Sequence, residues 1–578
     1  MNHFFTTAVP YLSRYRRGIA LGLGALILKD VAGATIPLII RSAIDTITSG
    51  APLTVLYRFC LLLLGVAAFK AVFQYWMRVI LVGISRDVEF DIRNDLFRQF
   101  TRLDSAFYAA HRTGDLMARS TNDLNAVRMM LGPALMYFTE TSLTFVLALA
   151  IMFSVDWQLT LWALSPAPLV SLVVVFFGSR IHARFEKIQS LFSDISARVQ
   201  ENLSGVRVVR AYAQEEAEMD QFAALNRRFI HQNVRLARLS GLFMPLLQAL
   251  IGLTFMMVLL VGGLRLLDGR LSLGSFVMFN TFMGMLVWPM IAFGWVVNLM
   301  QRGSASLKRI RAILDEKPSI DAPPAPTPVP ADATLTLENV HVRFDGRDAL
   351  HGVDLTIPEG DTIAIVGRTG SGKSTLVRLL ARLIDPTEGA VRLGGIDLRA
   401  LDPADLRRLI GFVPQETFLF SATLGQNIAF GVESATEDQI RAAAAMAGLD
   451  RDIEDFPLGY ETLVGERGIT LSGGQKQRTA IARALLRTPR ILILDDALSA
   501  VDTITEERIL TRLREFMRGR TTILISHRVS TVRHASCIYV LDHGRIVEQG
   551  RHDELIAQGG YYAGLHQKQL LEEELESI

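Results

Sequence analysis

The chain reads as two fold classes in series. An all-α membrane domain, with six long transmembrane helices carrying cytosolic extensions, precedes an α/β domain built around a phosphate-binding loop. Three observations predict this. Six long apolar stretches precede residue 305. The run Gly367, Arg368, Thr369, Gly370, Ser371, Gly372, Lys373, Ser374, Thr375 follows an apolar segment and leads into a helical one. Between the halves, Lys317–Pro330 holds Pro318, Pro323, Pro324, Pro326, Pro328 and Pro330, a spacing that permits neither helix nor central strand. The expected division is 1–316 membrane domain, 317–333 linker and 334–578 α/β domain.

Composition agrees. Hydrophobic residues make up 50% of the 578 and mean hydropathy is +0.29, which leans towards a membrane protein. The net charge of +2 averages two unlike halves and decides nothing. The two cysteines, Cys60 and Cys537, fall in different domains and imply neither a disulfide framework nor a metal site. No basic patch with interleaved aromatics occurs, so nucleic acid is not an expected partner.

The apolar stretches run roughly 17–41, 55–83, 132–154, 157–179, 242–266 and 273–300, each near or above the length that spans a bilayer as a helix. The first is too long for a cleaved signal peptide and has no convincing small-residue cleavage site. Arg14, Arg16 and Arg17 precede it, and segments 84–131 and 180–241 are dense in arginine, whereas the connections near 42–54, 155–156 and 267–272 are poor in basic residues. The positive-inside rule then puts both termini and the two long loops in the cytoplasm, in a cytoplasmic (inner) membrane. Residues 84–104 and 180–240 keep helical patterning, so the spans are expected to continue into the cytosol, with turning points near Ala106–Gly114 and Gly205–Glu216. Leu570–Ile578 reads as the solvated tail of a last helix.

The phosphate loop follows Thr362-Ile-Ala-Ile-Val366 and precedes Leu376-Val-Arg-Leu-Leu380, a strand–turn–helix order. Its glycines let successive N–H groups face phosphate oxygens at a helix N-terminus. Lys373 is placed to reach the β/γ-phosphates and the Ser374 hydroxyl to bind Mg²⁺. A second strand, Ile491-Leu-Ile-Leu494, ends in Asp495-Asp496, and a carboxylate there is the usual second Mg²⁺ anchor, assigned to Asp495.

About 100 residues after the phosphate loop stands Leu471, Ser472, Gly473, Gly474, Gln475. With this run, residues from about 334 to 570 resemble the nucleotide-binding domain of an ABC transporter. The resemblance implies ATP and Mg²⁺ as cofactors. It makes Phe344, in Val342-Arg-Phe344, similar to the aromatic that stacks on adenine, and Gln415, in Val413-Pro-Gln415-Glu, similar to the glutamine that senses Mg²⁺ and contacts the membrane domain. Gly465-Glu466-Arg467-Gly468 resembles the segment before the signature in exporters. Ser499-Ala-Val-Asp502 resembles the D-loop, and His527, in Ile525-Ser-His527-Arg, the switch histidine on the γ-phosphate. The turning points resemble coupling helices, and Gly114–Asp123 the segment after the first of them.

One membrane domain and one ATPase domain make a half-transporter, and the resemblance implies a dimer whose ATP sites pair one chain's phosphate loop with the other's signature. Asp496 departs from the family, which carries glutamate there as the base that orients the attacking water. The shorter side chain withdraws the carboxylate, and misplacement on that scale costs on the order of 100-fold in rate. An impaired base beside an intact signature matches one subunit of a heterodimeric exporter; a homodimer with slow hydrolysis is the alternative. Membrane domain before ATPase domain resembles exporters, and the expected function is ATP-driven export of amphipathic or hydrophobic compounds of multidrug, lipid or peptide type. An ATP-gated channel or regulator on the same scaffold is a further alternative, whereas the six spans argue against a soluble ABC ATPase.

Ionisable residues inside spans are functional candidates, here Lys29, Asp30, Lys70 and Glu140, against the reading that they form an internal ion pair. The last span is rich in Met and aromatics, from Met278 and Phe279 to Phe293 and Trp295. Such soft side chains suit promiscuous binding, and lipid-facing packing explains them equally well.

Overall fold

The structure is a computed structural model that describes residues 2–576 apart from 345, 466, 467, 469 and 470. Of the segment before the signature, Glu466 and Arg467 therefore lie outside the described residues. The chain divides into two compact units, Met1–Thr101 with Arg112–Glu316, and Arg102–His111 with Lys317–Ile578.

The first unit is helical. Among the described residues, six helices are long and apolar enough to cross a membrane: Arg16–Thr48, Leu53–Arg102, Thr113–Val155, Trp157–Ser204, Glu215–Leu267 and Leu273–Leu314. All exceed the apolar stretches that announce them, because helical sequence continues past the apolar window. The third carries π-helical turns at Arg119–Asp123 and Met130–Ala134, the latter around Pro133. There Gly132 lets two helices touch: a Cβ on it would stand 2.5 Å from Ser85 Cβ. A helical proline and a tight crossing account for the local register change. The fourth breaks at Ser165–Pro166 into Trp157–Leu164 and Ala167–Ser204, since a proline cannot supply the helical N–H.

The fourth and fifth helices pair along the halves that meet at the helix Val206–Ala211, with Arg198 and Asn202 both bonded to Glu218. The pair leaves Phe185, Phe192, Leu203 and Tyr212 exposed. The Met and aromatic run of the last helix divides in two: Met278, Phe279, Phe282 and Met283 sit in a core with Met152, Leu159 and Val258, while Trp288, Phe293 and Trp295 are exposed.

In the second unit the short helix Ser105–Ala110 is capped by Asp104, which also accepts from the Ser319 backbone N–H at 2.8 Å; Arg102 pairs with Asp321 at 3.1 Å. The proline-rich segment is thus held at its start, and Thr327 bonds the Ala400 carbonyl further on.

Two sheets form the α/β body. The strands are β1 (Leu335–Phe344), β2 (Arg347–Ile357), β3 (Thr362–Gly367), β4 (Glu388–Leu393), β5 (Ile396–Asp397), β6 (Ile410–Val413), β7 (Ile491–Asp495), β8 (Thr521–Ile525), β9 (Cys537–Asp542) and β10 (Arg545–Gly550). The small sheet has order β2-β1-β4-β5 and is antiparallel; the large one runs β10-β9-β3-β8-β7-β6 and is parallel except for β10. Alternation with period two splits the large sheet's side chains between two cores. Ala364, Val366, Leu492, Leu494 and Leu524 face one; Ile363, Ile365, Ile491, Ile493 and Ile525 face the other. Burial on both faces explains why these strands read as unbroken apolar runs.

Candidate functional site

Parallel strands bring their carboxyl ends to one edge, and the loops leaving β3, β8, β7 and β6 meet there. From β3 comes the phosphate loop, from β8 His527, from β7 Asp495 and Asp496, and from β6 Gln415. The register pairs Val413 with Leu494 and Asp495 with Ile525, so these side chains emerge at one level.

The loop has the shape its glycines require. Gly370 and Gly372 have φ of +81° and +105°. A Cβ on Gly372 would stand 2.6 Å from the Ala349 carbonyl, and one on Gly367 would collide with the Leu541 carbonyl, so neither position admits a side chain. Lys373 opens the helix Lys373–Leu380 and folds back, its Nζ donating to the carbonyls of Gly367 and Arg368 at 2.9 Å each. Burial pushes this ammonium's pKa down, and the carboxylates of Asp496 and Asp495 pull the other way. Arg368, Thr369 and Gly370 are exposed, as a loop open to an incoming polyphosphate must be.

Asp495 is buried, and burial raises its pKa above the usual carboxylate range, opposed by a hydrogen bond from the Ser374 hydroxyl. Among the described residues its Oδ1 has no hydrogen-bond partner, nor has the buried Ser371 Oγ. A buried carboxylate oxygen without a donor, beside a hydroxyl and an ammonium, fits a divalent cation that bridges to phosphate. The residues therefore suit ATP with Mg²⁺: backbone N–H groups and Lys373 for the phosphates, Ser374 and Asp495 for the metal.

Asp496 takes the left-handed conformation, φ +47°, which aspartate tolerates better than most residues. It is buried, and its Oδ2 lies 3.4 Å from His527 Nε2, whose ring is half-exposed. Gln415 is exposed just beyond β6. Phe344 is 48% exposed at the tip of the β1–β2 hairpin, whose second strand reaches the phosphate loop through Ala349 and Leu350.

The signature stands at the start of another helix, Gly473–Leu486. Ser472 Oγ accepts from the Gln475 N–H at 3.2 Å while Gln475 Oε1 accepts from the Ser472 N–H at 2.9 Å, a capping box. Ser472 and Gly473 are exposed, and Leu471 is buried beneath them. Asp502 caps the next helix through the Thr505 N–H at 2.9 Å. Reading by motif missed Gln477, two residues beyond Gln475, which is 5% exposed and bonds to Asp496, Ser499 and Ala500; a polar residue on the apolar face of that helix was the available signal.

In the helical unit, Lys29 Nζ lies 2.9 Å from Asp30 Oδ1 and 2.5 Å from Glu140 Oε1. Lys70 reaches the same place, because a Cβ on Gly33 would stand 3.6 Å from its Nζ. All four candidates therefore form one cluster, with Lys29 and Asp30 buried and Asp30 Oδ2 without a hydrogen-bond partner.

Comparison with known proteins points the same way. Residues 19–290 match the model of the ABC transporter transmembrane region, and residues 350–499 that of the ABC transporter family. The probable multidrug resistance ABC transporter ATP-binding/permease protein YheI of Bacillus subtilis (strain 168) is 36% identical over 566 residues, 97% of this chain and 96% of the relative. The multidrug resistance-like ATP-binding protein MdlA of Escherichia coli (strain K12) is 40% identical over 88% of this chain and 87% of its own length. The ATP-dependent lipid A-core flippase of Syntrophus aciditrophicus (strain SB) is 32% identical over 98% and 94%. Among solved structures, a bacterial Atm1-family ABC exporter with ATP bound superposes with TM-score 0.81 at 29% identity, covering 96% of this chain and 98% of that one.

Proposed function

The chain belongs to the ABC transporters, with an exporter's transmembrane region and ABC ATPase domain on one polypeptide, and from that premise we propose that it is one half of a heterodimeric exporter whose own ATP site hydrolyses slowly. As a member of this family it couples ATP hydrolysis to transport across a membrane, and it functions as a dimer.

In the proposed scheme the phosphates of ATP take the place of the carbonyls that hold Lys373, and Phe344 stacks on the adenine. Ser374 and Asp495 hold Mg²⁺, with Gln415 beside it; the metal would neutralise charge on the phosphate oxygens. Asp496 orients the attacking water and His527, which holds it, faces the γ-phosphate. The observation that carries the proposal is the aspartate at 496: buried, 3.4 Å from His527 Nε2 and one methylene shorter than glutamate, it holds its carboxylate back from where a glutamate would reach. The signature Leu471–Gln475 is complete, with Ser472 and Gly473 exposed and available to a partner's nucleotide. The exposed aromatic residues Phe185 and Phe192 on the paired fourth and fifth helices support a second chain packed there. Amphipathic or hydrophobic cargo is inferred from relatives named for multidrug resistance and lipid A-core transport. Arginine placement supports cytoplasmic termini and an inner-membrane location.

The test is Asp496→Glu in a dimer whose partner has its catalytic glutamate changed to glutamine. That background silences the partner-based site, so a gain in ATPase must arise at position 496. A partial gain is expected. Full ATPase activity in the background before the substitution would overturn the slow-site proposal and favour a homodimer.

A further inference from the structure

Gln477 lies on the second turn of the signature helix, 5% exposed. Its amide uses both ends. Nε2 donates to Ser499 Oγ at 2.8 Å and to the Asp496 carbonyl at 3.3 Å, while Oε1 accepts from the Ala500 N–H at 2.9 Å. The flanking groups fix the orientation of the amide, since a carbonyl requires the NH₂ and an N–H requires the oxygen. The same loop also presses on the signature glycines. A Cβ on Gly474 would stand 3.0 Å from the Ala500 carbonyl, and one on Gly473 would stand 3.3 Å from Ala500 Cβ. The helix that presents Gly473 and Gly474, the loop 497–500 and the backbone that carries Asp496 are thus clamped together by one buried side chain.

We propose that Gln477 is a positioning residue for ATP hydrolysis, which ties the placement of the Asp496 carboxylate to the signature glycines. This rests on the proposed reading of the site, in which the signature serves the partner's nucleotide while Asp496 serves this chain's own. A nucleotide that moves Gly473 and Gly474 then moves Ala500 directly, and through Gln477 it moves the backbone of Asp496. One amide links the two sites of the dimer. The bland alternative is that Gln477 only satisfies buried backbone groups.

Gln477→Glu separates the two. The carboxylate still accepts from the Ala500 N–H but, when ionised, offers no donor to Ser499 or to the Asp496 carbonyl. The experiment measures ATPase of the full-length transporter dimer whose partner has its catalytic glutamate changed to glutamine, so that turnover comes from the Asp496 site, together with the melting midpoint and the variant-to-wild-type activity ratio against pH. We expect kcat to fall about tenfold with the KM for ATP unchanged, the size of effect that follows a modest misplacement of reacting groups. The ratio should recover as pH falls from about 8 to about 6, because a buried carboxyl facing a carbonyl takes up a proton and becomes a donor again. Ser499→Ala breaks the clamp from its other end and needs no change in the helix; it should lower kcat alone, yet add nothing in the Gln477→Glu background. A kcat within about twofold of wild type in Gln477→Glu, a pH-independent ratio, or independent losses that multiply in the double variant would each overturn the proposal. Lys373→Ala is the control: if it leaves ATPase intact, the reading of the nucleotide site is wrong, whereas its loss together with an unaffected Gln477→Glu sinks only the clamp.

Discussion

In the proposed site, Lys373 is the residue on which nucleotide binding turns. Its ammonium is buried, bonded to two loop carbonyls and accompanied by Asp495 and Asp496. An incoming polyphosphate exchanges neutral acceptors for charged ones, adding ion-pair attraction to bonds that the ammonium already strengthens. Lys373→Ala should reduce photolabelling of this subunit by an ATP analogue at least about tenfold, the equivalent of 1.4 kcal/mol. Undiminished labelling would contradict the assignment of residues 367–375. The roles proposed for Lys373, Ser374 and Asp495 rest on strand–loop–helix order, because phosphate chemistry needs consecutive N–H groups and a terminal cation. The His527–Asp496 contact was not legible in the sequence, since 31 positions separate the two (527 less 496) and only the sheet brings them together.

At the scale of elements, the signature helix is built to expose its first turn. Its capping box satisfies Ser472 and Gln475 locally, and its glycines lie under Ala500. Gly474→Asp places a side chain against that carbonyl, and Ser472→Ala removes a cap worth about 1 kcal/mol. In the proposed heterodimer both should lower the ATPase rate more than Asp496→Asn does, because there the signature completes the partner's competent site. The reverse ranking, with Asp496→Asn abolishing turnover, would indicate a homodimer. A second element-level prediction concerns Asp104. It caps Ser105–Ala110 and accepts from the Ser319 N–H and side chain. Burial raises its carboxyl pKa, but the hydrogen bonds from Ser319, Phe107 and Ala106 outweigh that and leave it below the usual range. A depressed carboxyl contributes its stability above its unfolded-state pKa and loses it as pH falls through the folded one. Asp104→Ala should therefore speed proteolysis within 317–330 at neutral pH, with the difference from wild type vanishing under acidic conditions. Equal cleavage at neutral pH would show that the bond does not hold the linker. Proline spacing identified this linker as extended; that its start is tied to the 102–104 segment depends on partners more than 200 positions away.

For the whole molecule, the charge cluster of the helical unit is either a site that handles cargo or an internal lock between helices. Removing Lys29 leaves Asp30 and Glu140 facing each other, whereas removing Glu140 leaves Lys29 with Asp30 at 2.9 Å. Breaking a buried pair costs about 3–5 kcal/mol, so Lys29→Met should destabilise far more than Glu140→Gln in a thermal melt. With folding spared, Glu140→Gln should alter uptake of a cationic dye into inverted vesicles while sparing a neutral dye and basal ATPase. Equal effects on both dyes would make the cluster an internal lock. Accumulation of dye against its gradient is expected throughout; mere equilibration would mark a channel.

Two kinds of information divide between the chain and its folded form. Spans, linker, phosphate loop and signature are short runs whose physics is local: apolar length against bilayer thickness, proline against helix, glycine against phosphate. They could be read without coordinates. The use of Gln477 as a clamp, the burial of Met278 and Phe282 in a core, the gathering of Lys29, Asp30, Lys70 and Glu140, and the tether from Asp104 to Ser319 are contacts between distant or differently facing positions. Local patterning says that a residue is polar or apolar and which face of its element it occupies. Which partner meets that face is set by packing, because close-packed interiors admit few arrangements and the chain finds its own by satisfying all of them together.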